Sequence, residues 1–500
     1  MDLNSFFILL LALVILPFLF LKQRRGATGS RKLPPGPPRL PLIGNLHQLR
    51  GAPHRALQRL SDIYGPLMFL QLGSKPTLVI SSADMVREIF KSHDLIFSGR
   101  PVLYAAKKLS YDCLNIVFAP YGEYWKEIRK IAVLELLSAN KVQSFETARK
   151  EEVALTIASI ESSQGPIDLS KILVHLVNNI VSRVAFGRKY EEGKNGKTGI
   201  HEFLPETTEI LGGFSIADFF PWLRWIHKLD GLESKIGKNF QRFDKFYDEI
   251  IQEHLDPKRL KPQVEDLVDV MLRIQRDPTQ KMTLTTNHIK GVLTDMFIAG
   301  TDTSSVTLIW IMTELIKNPA VMKKAQEEVR NVVDNKGTVE ESDLPHLNYI
   351  KLVVTESLRL HPPSPLLVPR ETTETCTFRG YEIPAKTRVF INETALSTDL
   401  GSWVKPDEFL PERFPTSFDF RRQDYDFIPF GIGRRGCPGI NFSLVLIELV
   451  LANLLHHFNW DLPNGVKRKD VDTEEAFGLA LHKKTPLYLV ATLAKPCKSS

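Results

Sequence analysis

Residues 429–439 read Pro-Phe-Gly-Ile-Gly-Arg-Arg-Gly-Cys-Pro-Gly, a loop too rich in glycine to be the interior of a helix or strand. Within it a single cysteine, Cys437, follows Arg435 by two residues and precedes Gly439 and an apolar run. Those are the parts a lone thiolate needs to ligate a large metal cofactor. Glycines let the backbone come close to a flat macrocycle and turn amide N–H groups towards the sulfur. Arg435 offers positive charge to an acidic edge of such a cofactor. Residues 441–455 are apolar enough to form a helix, whose positive N-terminal end would favour the thiolate. An isolated cysteine is more often a buried structural residue, but this packed arrangement favours a ligand.

A second candidate interrupts the apolar stretch 293–315, where Ala299-Gly300-Thr301-Asp302-Thr303-Ser304 stands in place of core residues. A hydroxyl that bonds its own helix backbone can bend the helix and make room for a small molecule. Asp302 beside Thr303 also suggests proton delivery, with carboxyl and hydroxyl passing protons through water. Taken alone, the string fits a solvated kink or a helix end equally well. Glu356 and Arg359 lie three apart at the end of a helix predicted over 340–360, a spacing common among surface pairs of little energetic weight. Trp125 and Arg129, four apart, share one face of another predicted helix and alone would be an ordinary amphipathic pair.

Together these segments resemble the cytochrome P450 superfamily. Phe430, Gly433, Arg435, Cys437 and Gly439 match every fixed position of its haem-binding signature. The resemblance implies haem b (iron protoporphyrin IX) with Cys437 as axial thiolate, a ligation that favours O–O cleavage. It makes Asp302 and Thr303 a catalytic relay, Thr303 at the oxygen end and Asp302 connecting it to water. It makes Glu356 and Arg359, with Arg413 of Pro411-Glu412-Arg413-Phe414, a buried triad supporting the cysteine loop. It makes Trp125, Arg129, Arg370 and Arg435 the holders of the haem propionates, three guanidiniums against two carboxylates.

The details are most similar to the plant A-type microsomal group. That implies a monooxygenase inserting one atom of O2 into a small hydrophobic substrate. Electrons would come from NADPH through NADPH-cytochrome P450 reductase, with cytochrome b5 as a second donor; the chain carries no nucleotide-binding glycine fingerprint of its own. Residues 392–399 depart from the group's pattern. Thr394, Ser397 and Thr398 stand where plant members carry a tryptophan and a glycine-arginine pair, which puts the packing of that segment in question.

Such a site needs a large body to hold it. The expected architecture is mainly α with a small β lobe, the P450 fold: a helical prism around buried haem, its strands drawn from segments such as 67–81 and 388–392. With 43% hydrophobic and 24% charged residues, the composition is that of a folded globular protein, and no repeat or long linker divides it. Residues 3–21 are nearly all apolar and as a helix would span roughly 28 Å, about one bilayer core. Lys22, Arg24 and Arg25 follow, whereas only Asp2 precedes, so the positive-inside rule places the body in the cytosol. The basic residues lie after the apolar run and no small-residue cleavage site follows, which favours a retained anchor over a cleaved signal. Three parts are expected: an anchor over 1–25, a stiff proline-rich hinge over 26–40, and a haem-thiolate domain over 41–500. The expected site is the endoplasmic reticulum membrane, with lipid as a partner.

Cys113, Cys376, Cys437 and Cys497 show neither zinc spacing nor a disulfide framework, which suits a reducing cytosol. A net charge of +6 without a basic run gives no sign of nucleic-acid binding. By resemblance, segments 101–117, 203–225, 364–368 and 476–481 line the substrate cavity. They are mostly apolar, favouring a ring-bearing specialised metabolite such as a terpenoid or alkaloid. Two rivals remain: an isomerase or dehydratase on the same scaffold, and a non-catalytic haem-binding membrane protein.

Overall fold

The computed structural model describes residues 32–190, 204–260, 262–333, 336–416, 418–420 and 424–494. The anchor expected over 1–25 lies outside the described residues. In chain order, the elements that matter for the site begin with α1 (Pro53–Tyr64), β1 (Leu67–Leu72), β2 (Lys75–Ile80), α2 (Glu123–Ile131) and α3 (Leu169–Phe186). There follow α4 (Leu204–Gly212), α5 (Leu232–Leu255), α6 (Thr286–Lys317), α7 (Asn348–Leu360), β3 (Arg370–Glu371) and β4 (Arg388–Ile391). Last come α8 (Glu393–Ser397), α9 (Ile440–His457), β5 (Glu475–Phe477) and β6 (Leu481–Lys483).

The molecule is built around α6. Thr285 caps this helix reciprocally with His288: the Thr285 amide donates to the ring at 2.9 Å, and the His288 amide donates to the Thr285 hydroxyl. Asn318 before Pro319 ends it, because the proline ring disfavours helical backbone in the residue it follows. Between those stops nearly every side is buried, as in a helix that runs through a core rather than across its surface. Helices α3, α7 and α9 pack around it and share one continuous apolar cluster. α3 and α9 are long and apolar enough to cross a membrane, yet both are mostly buried inside this body. The helix predicted over 340–360 is shorter than expected: 341–343 form a turn, Leu344–His346 a single 3-10 turn of helix, and α7 begins at Asn348.

The β lobe is a four-stranded sheet in the order β1-β2-β4-β3. β1 and β2 form an antiparallel hairpin turned at Gly73, whose φ of +58° suits a residue without a Cβ. β4 then pairs parallel to β2, with Ile80 opposite Ile391. Leu67, Leu78, Ile80, Val389 and Ile391 bury one face in a second apolar cluster. Among the described part of the hinge, packing on the body starts well before residue 41. The Phe69 amide donates to Pro35 O at 2.8 Å, and Asn45 Nδ2 donates to the Pro37 carbonyl. A Cβ on Gly36 would lie 2.1 Å from Phe69 O, so only glycine allows the segment to lie on β1.

Candidate functional site

The cysteine loop closes on itself through backbone bonds. Gly431 N donates to Ile428 O at 2.8 Å, Gly436 N to Gly433 O at 3.0 Å, and Cys437 N to Phe430 O at 2.8 Å. Gly433 has φ +70° and faces Phe90 and Asp94 so closely that any Cβ there would collide with both. The loop delivers Cys437 to the start of α9, and Gly439 N donates to Cys437 Sγ at 3.3 Å. Phe430, Arg435, Cys437 and Gly439 all line one large cavity, about 440 Å³ in volume. The accessible surface of Cys437 belongs to that cavity wall. Burial raises the thiol pKa, and the Gly439 amide and Arg129 only partly offset it. The helix end expected to favour the thiolate is therefore present but outweighed by desolvation; a bound cation would reverse that balance.

Arg129, Arg370 and Arg435 converge on the same cavity, and a fourth guanidinium, Arg100, joins them. Arg100 donates to the carbonyls of Val117, Val368 and Pro369, Arg129 to Gly436 O at 2.6 Å, and Arg370 to Ile432 O at 2.7 Å. Arg435 donates to Ser98 O and Ala119 O, and its guanidinium lies 4.2 Å above the Trp125 ring. The Trp125 indole N–H is itself given to Ile116 O at 3.0 Å, so the ring supports Arg435 from behind. The nearest acid, Asp94, stands 3.9 Å from Arg370. Burial, with Arg370 and Arg129 beside it, pushes the Arg435 pKa down to about 9. Burial lowers Arg370 to about 10 against the pull of Asp94. Arg100 is lowered by burial and by the other three. Among the described residues these four guanidiniums meet only Asp94, itself shared with Arg434, and that surplus of positive charge fits a ligand bearing two carboxylates at this rim. Together with a cavity-facing thiol and apolar walls, the donor set suits haem. Sequence reasoning missed Arg100; its only sign is a basic residue between Gly99 and Pro101 in an otherwise apolar stretch.

Opposite lies α6. Ala299, Gly300, Asp302, Thr303 and Ser304 line the cavity, and the helix continues through them unbroken. The Thr303 hydroxyl donates to Ala299 O at 2.8 Å, which fixes its oxygen in place. Asp302 is buried and meets His482 of β6, with Oδ1 2.9 Å from the ring Nε2. Further along α6, Asp295 accepts from the amides of Ile116 and Val117 and from Asn115 Nδ2. Burial raises the Asp295 pKa to about 7. These bonds hold a wall segment in which Tyr111, Asp112 and Cys113 have φ of +53°, +61° and +63°. Three successive left-handed residues each cost roughly 1–2 kcal/mol, so the segment needs such a clamp.

Glu356, Arg359 and Arg413 are brought together. Arg359 grips Glu356 with two bonds of 2.8 Å, and Arg413 Nε donates to Glu356 Oε1 at 2.9 Å. Glu356 and Arg359 are fully buried. Arg359 also donates to Ser397 O at 2.7 Å, joining the triad to α8. The departing segment 392–399 is thus a packed short helix. Of the expected wall segments, 101–117, 364–368 and 476–481 contribute as anticipated, but 203–225 does so only through Leu211 and Gly212. Phe214, Trp222 and Trp225 point outwards and are exposed.

The family model described as cytochrome P450 matches residues 34–490. The chain is 54% identical over 494 residues to cytochrome P450 71A9 of Glycine max, covering 98% of this chain and 99% of that protein. It is 53% identical to strychnine-11-hydroxylase of Strychnos nux-vomica, with 95% and 94% covered. It is 45% identical to phenylacetaldehyde oxime monooxygenase of Prunus mume, with 99% and 96% covered. A zebra fish cytochrome P450 solved with abiraterone superposes with a TM-score of 0.75 at 25% identity, over 88% of this chain and 99% of that one.

Proposed function

The chain belongs to the cytochrome P450 family and carries its haem-thiolate cofactor, and on that premise we propose a specific monooxygenase role. It inserts one oxygen atom of O2 into a hydrophobic, ring-bearing plant metabolite, an alkaloid or terpenoid, while the other leaves as water. The observation that carries this reading is that one largely apolar cavity is lined both by Cys437 from the cysteine loop and by Thr303 and Asp302 from α6.

Haem held by Cys437 supplies the iron that activates dioxygen, and thiolate ligation favours O–O cleavage. Arg100, Arg129, Arg370 and Arg435 would take its propionates, and the closed loop from Phe430 to Gly439 would fix the sulfur. Thr303, anchored on Ala299 O, presents its oxygen to the cavity, and Asp302 beside it would connect that hydroxyl to water. Leu103, Val117, Leu366, Val368 and Leu479 keep the wall dry. The named activity of the strychnine-11-hydroxylase relative supports a polycyclic nitrogenous substrate. Retention of the Asp302–Thr303 pair disfavours both the isomerase and the non-catalytic readings. The anchor-like segment 3–21 and the outward-facing Trp222 and Trp225 support residence on the endoplasmic reticulum membrane, with NADPH-cytochrome P450 reductase as electron donor.

Full-length protein reconstituted with that reductase is the test, using a panel of alkaloids and terpenoids. NADPH-dependent products sixteen mass units heavier are expected. Correctly haem-loaded protein that yields only rearranged or dehydrated products, without NADPH, would replace this reading with the isomerase one.

A further inference from the structure

Asp302 does not stand alone at the cavity wall. Its Oδ1 lies 2.9 Å from Nε2 of His482, off the line of a straight hydrogen bond, and its Oδ2 has no partner. His482 is held there by its neighbour. Leu481 N donates to Pro363 O at 2.9 Å, and Trp310 Nε1 donates to Leu481 O at 2.8 Å. Trp310 is fully buried in α6 and stacks on His361 with ring centroids 4.0 Å apart. The β5–β6 hairpin is thereby fixed to the same helix that carries Asp302, and the imidazole has a defined station against the carboxylate.

The two side chains of the pair face different surroundings. Asp302 is 6% exposed and forms part of the cavity wall, whereas the His482 side chain is 35% exposed and forms no part of it. The pair therefore joins a carboxylate in the cavity wall to a partly exposed ring that is not itself part of that wall. Among the described residues, the other acids near this hairpin have partners of their own. Glu475 on the paired strand is bonded to His54 and Arg55, and Asp472 lies against Lys483 and Thr485. Burial alone would lower the imidazole pKa, but Asp302 more than reverses this and holds it above the usual histidine value.

We propose that His482 is the positioning residue that feeds protons from solvent to Asp302. The ring takes a proton from water at Nδ1 and releases one from Nε2 to Asp302 Oδ1, and Asp302 yields a proton to the cavity. Asp302 returns to its carboxylate, while the ring is left as its Nδ1–H tautomer and regains Nε2–H by exchange with water before the next passage. Two such passages supply the two protons that leave as water with the second oxygen atom. Electrons enter separately, from NADPH through the reductase. The inference rests on the monooxygenase reading for its purpose, but the pair itself can be tested without turnover.

His482→Gln keeps a donor of similar reach that cannot relay a proton, and His482→Phe removes donor and carrier together. Both should keep haem content and substrate KM close to wild type. Product per NADPH should fall several-fold in each, the balance appearing as peroxide, and the solvent deuterium effect on turnover should rise. Glutamine restoring wild-type coupling would reduce His482 to a structural tie and overturn the proposal. In full-length protein with labelled histidine, the His482 ring should titrate above the ordinary histidine value by NMR and fall back in Asp302→Asn. A midpoint unmoved by Asp302→Asn would overturn the pair. Wild-type protein lacking NADPH-dependent turnover would instead defeat the monooxygenase reading, while the ring titration would still decide the pair.

Discussion

Glu393 Oε1 accepts the amide of Ile428 at 2.9 Å, tying α8 to the strand of chain that enters the cysteine loop. The same oxygen accepts from Ser397 Oγ at 3.2 Å, and burial raises the Glu393 pKa to about 8. The carboxyl is therefore held neutral at physiological pH. A folded-state value above the unfolded one, near 4.5, means the folded state binds more protons between those two limits. Stability is then greatest below about 4.5 and declines as pH rises towards 8. Glu393→Gln should flatten that decline and raise the melting temperature at pH 8. Glu393→Ala should lower stability at every pH, because it leaves the Ile428 amide unpaired. Thermal unfolding followed from pH 5 to 9 distinguishes the two.

Arg100 stands among Arg129, Arg370 and Arg435, a cluster of positive charge in which Asp94 faces only Arg370. Arg100→Leu should lower haem retention several-fold through purification, measured as the ratio of Soret to protein absorbance. Heavy loss of haem-free stability with unchanged haem retention would instead make Arg100 a purely structural donor to Val117, Val368 and Pro369.

Glu356 is fully buried between Arg359 and Arg413 and also accepts the Leu410 amide at 2.9 Å. Glu356→Ala leaves the buried Arg359 guanidinium and the partly buried Arg413 without their acid, a loss expected to cost about 3–5 kcal/mol. Denaturant unfolding should report it, together with loss of haem. Arg413 also bonds backbone carbonyls of Val404, Lys405 and Glu408, so Arg413→Ala should approach the same cost.

Much of the site was legible because its chemistry sits in local strings. The cysteine loop, the Asp302–Thr303 step and the Glu356–Arg359 pair each lie within a few residues, and their spacing survives folding. What was hidden depends on chain crossings that spacing does not record. Arg100 and Arg435 share a rim only because the short 3-10 helix Ile96–Ser98 passes the cysteine loop. His482 meets Asp302 across 180 residues because Trp310 and Pro363 pin Leu481. Of the fold, the apolar runs announced α6 and α9, while the start of α7 was blurred by the polar turns of 341–346. The outward turn of 214–225 could not be read from its apolar composition, which suits a cavity wall and a membrane-facing surface alike.

Trp222 and Trp225 are 63% and 54% exposed, beside Phe214 and Leu229. The Gly73–Ser74 turn bonds both Ile43 O and Phe219 O, and Leu42 is exposed as well. Deleting residues 1–21 should leave part of the protein in the membrane fraction, and adding Trp222→Ser with Trp225→Ser should release most of that remainder. Vesicle flotation measures both. Complete release by the deletion alone would show that this apolar surface makes no contact with lipid.

The most direct test concerns the bond between Cys437 and haem iron. Purified protein should be coloured, and its reduced form with carbon monoxide should show the red-shifted Soret band of thiolate ligation, which Cys437→Ala abolishes. A colourless wild-type protein, or a thiolate band that persists in Cys437→Ala, would contradict it.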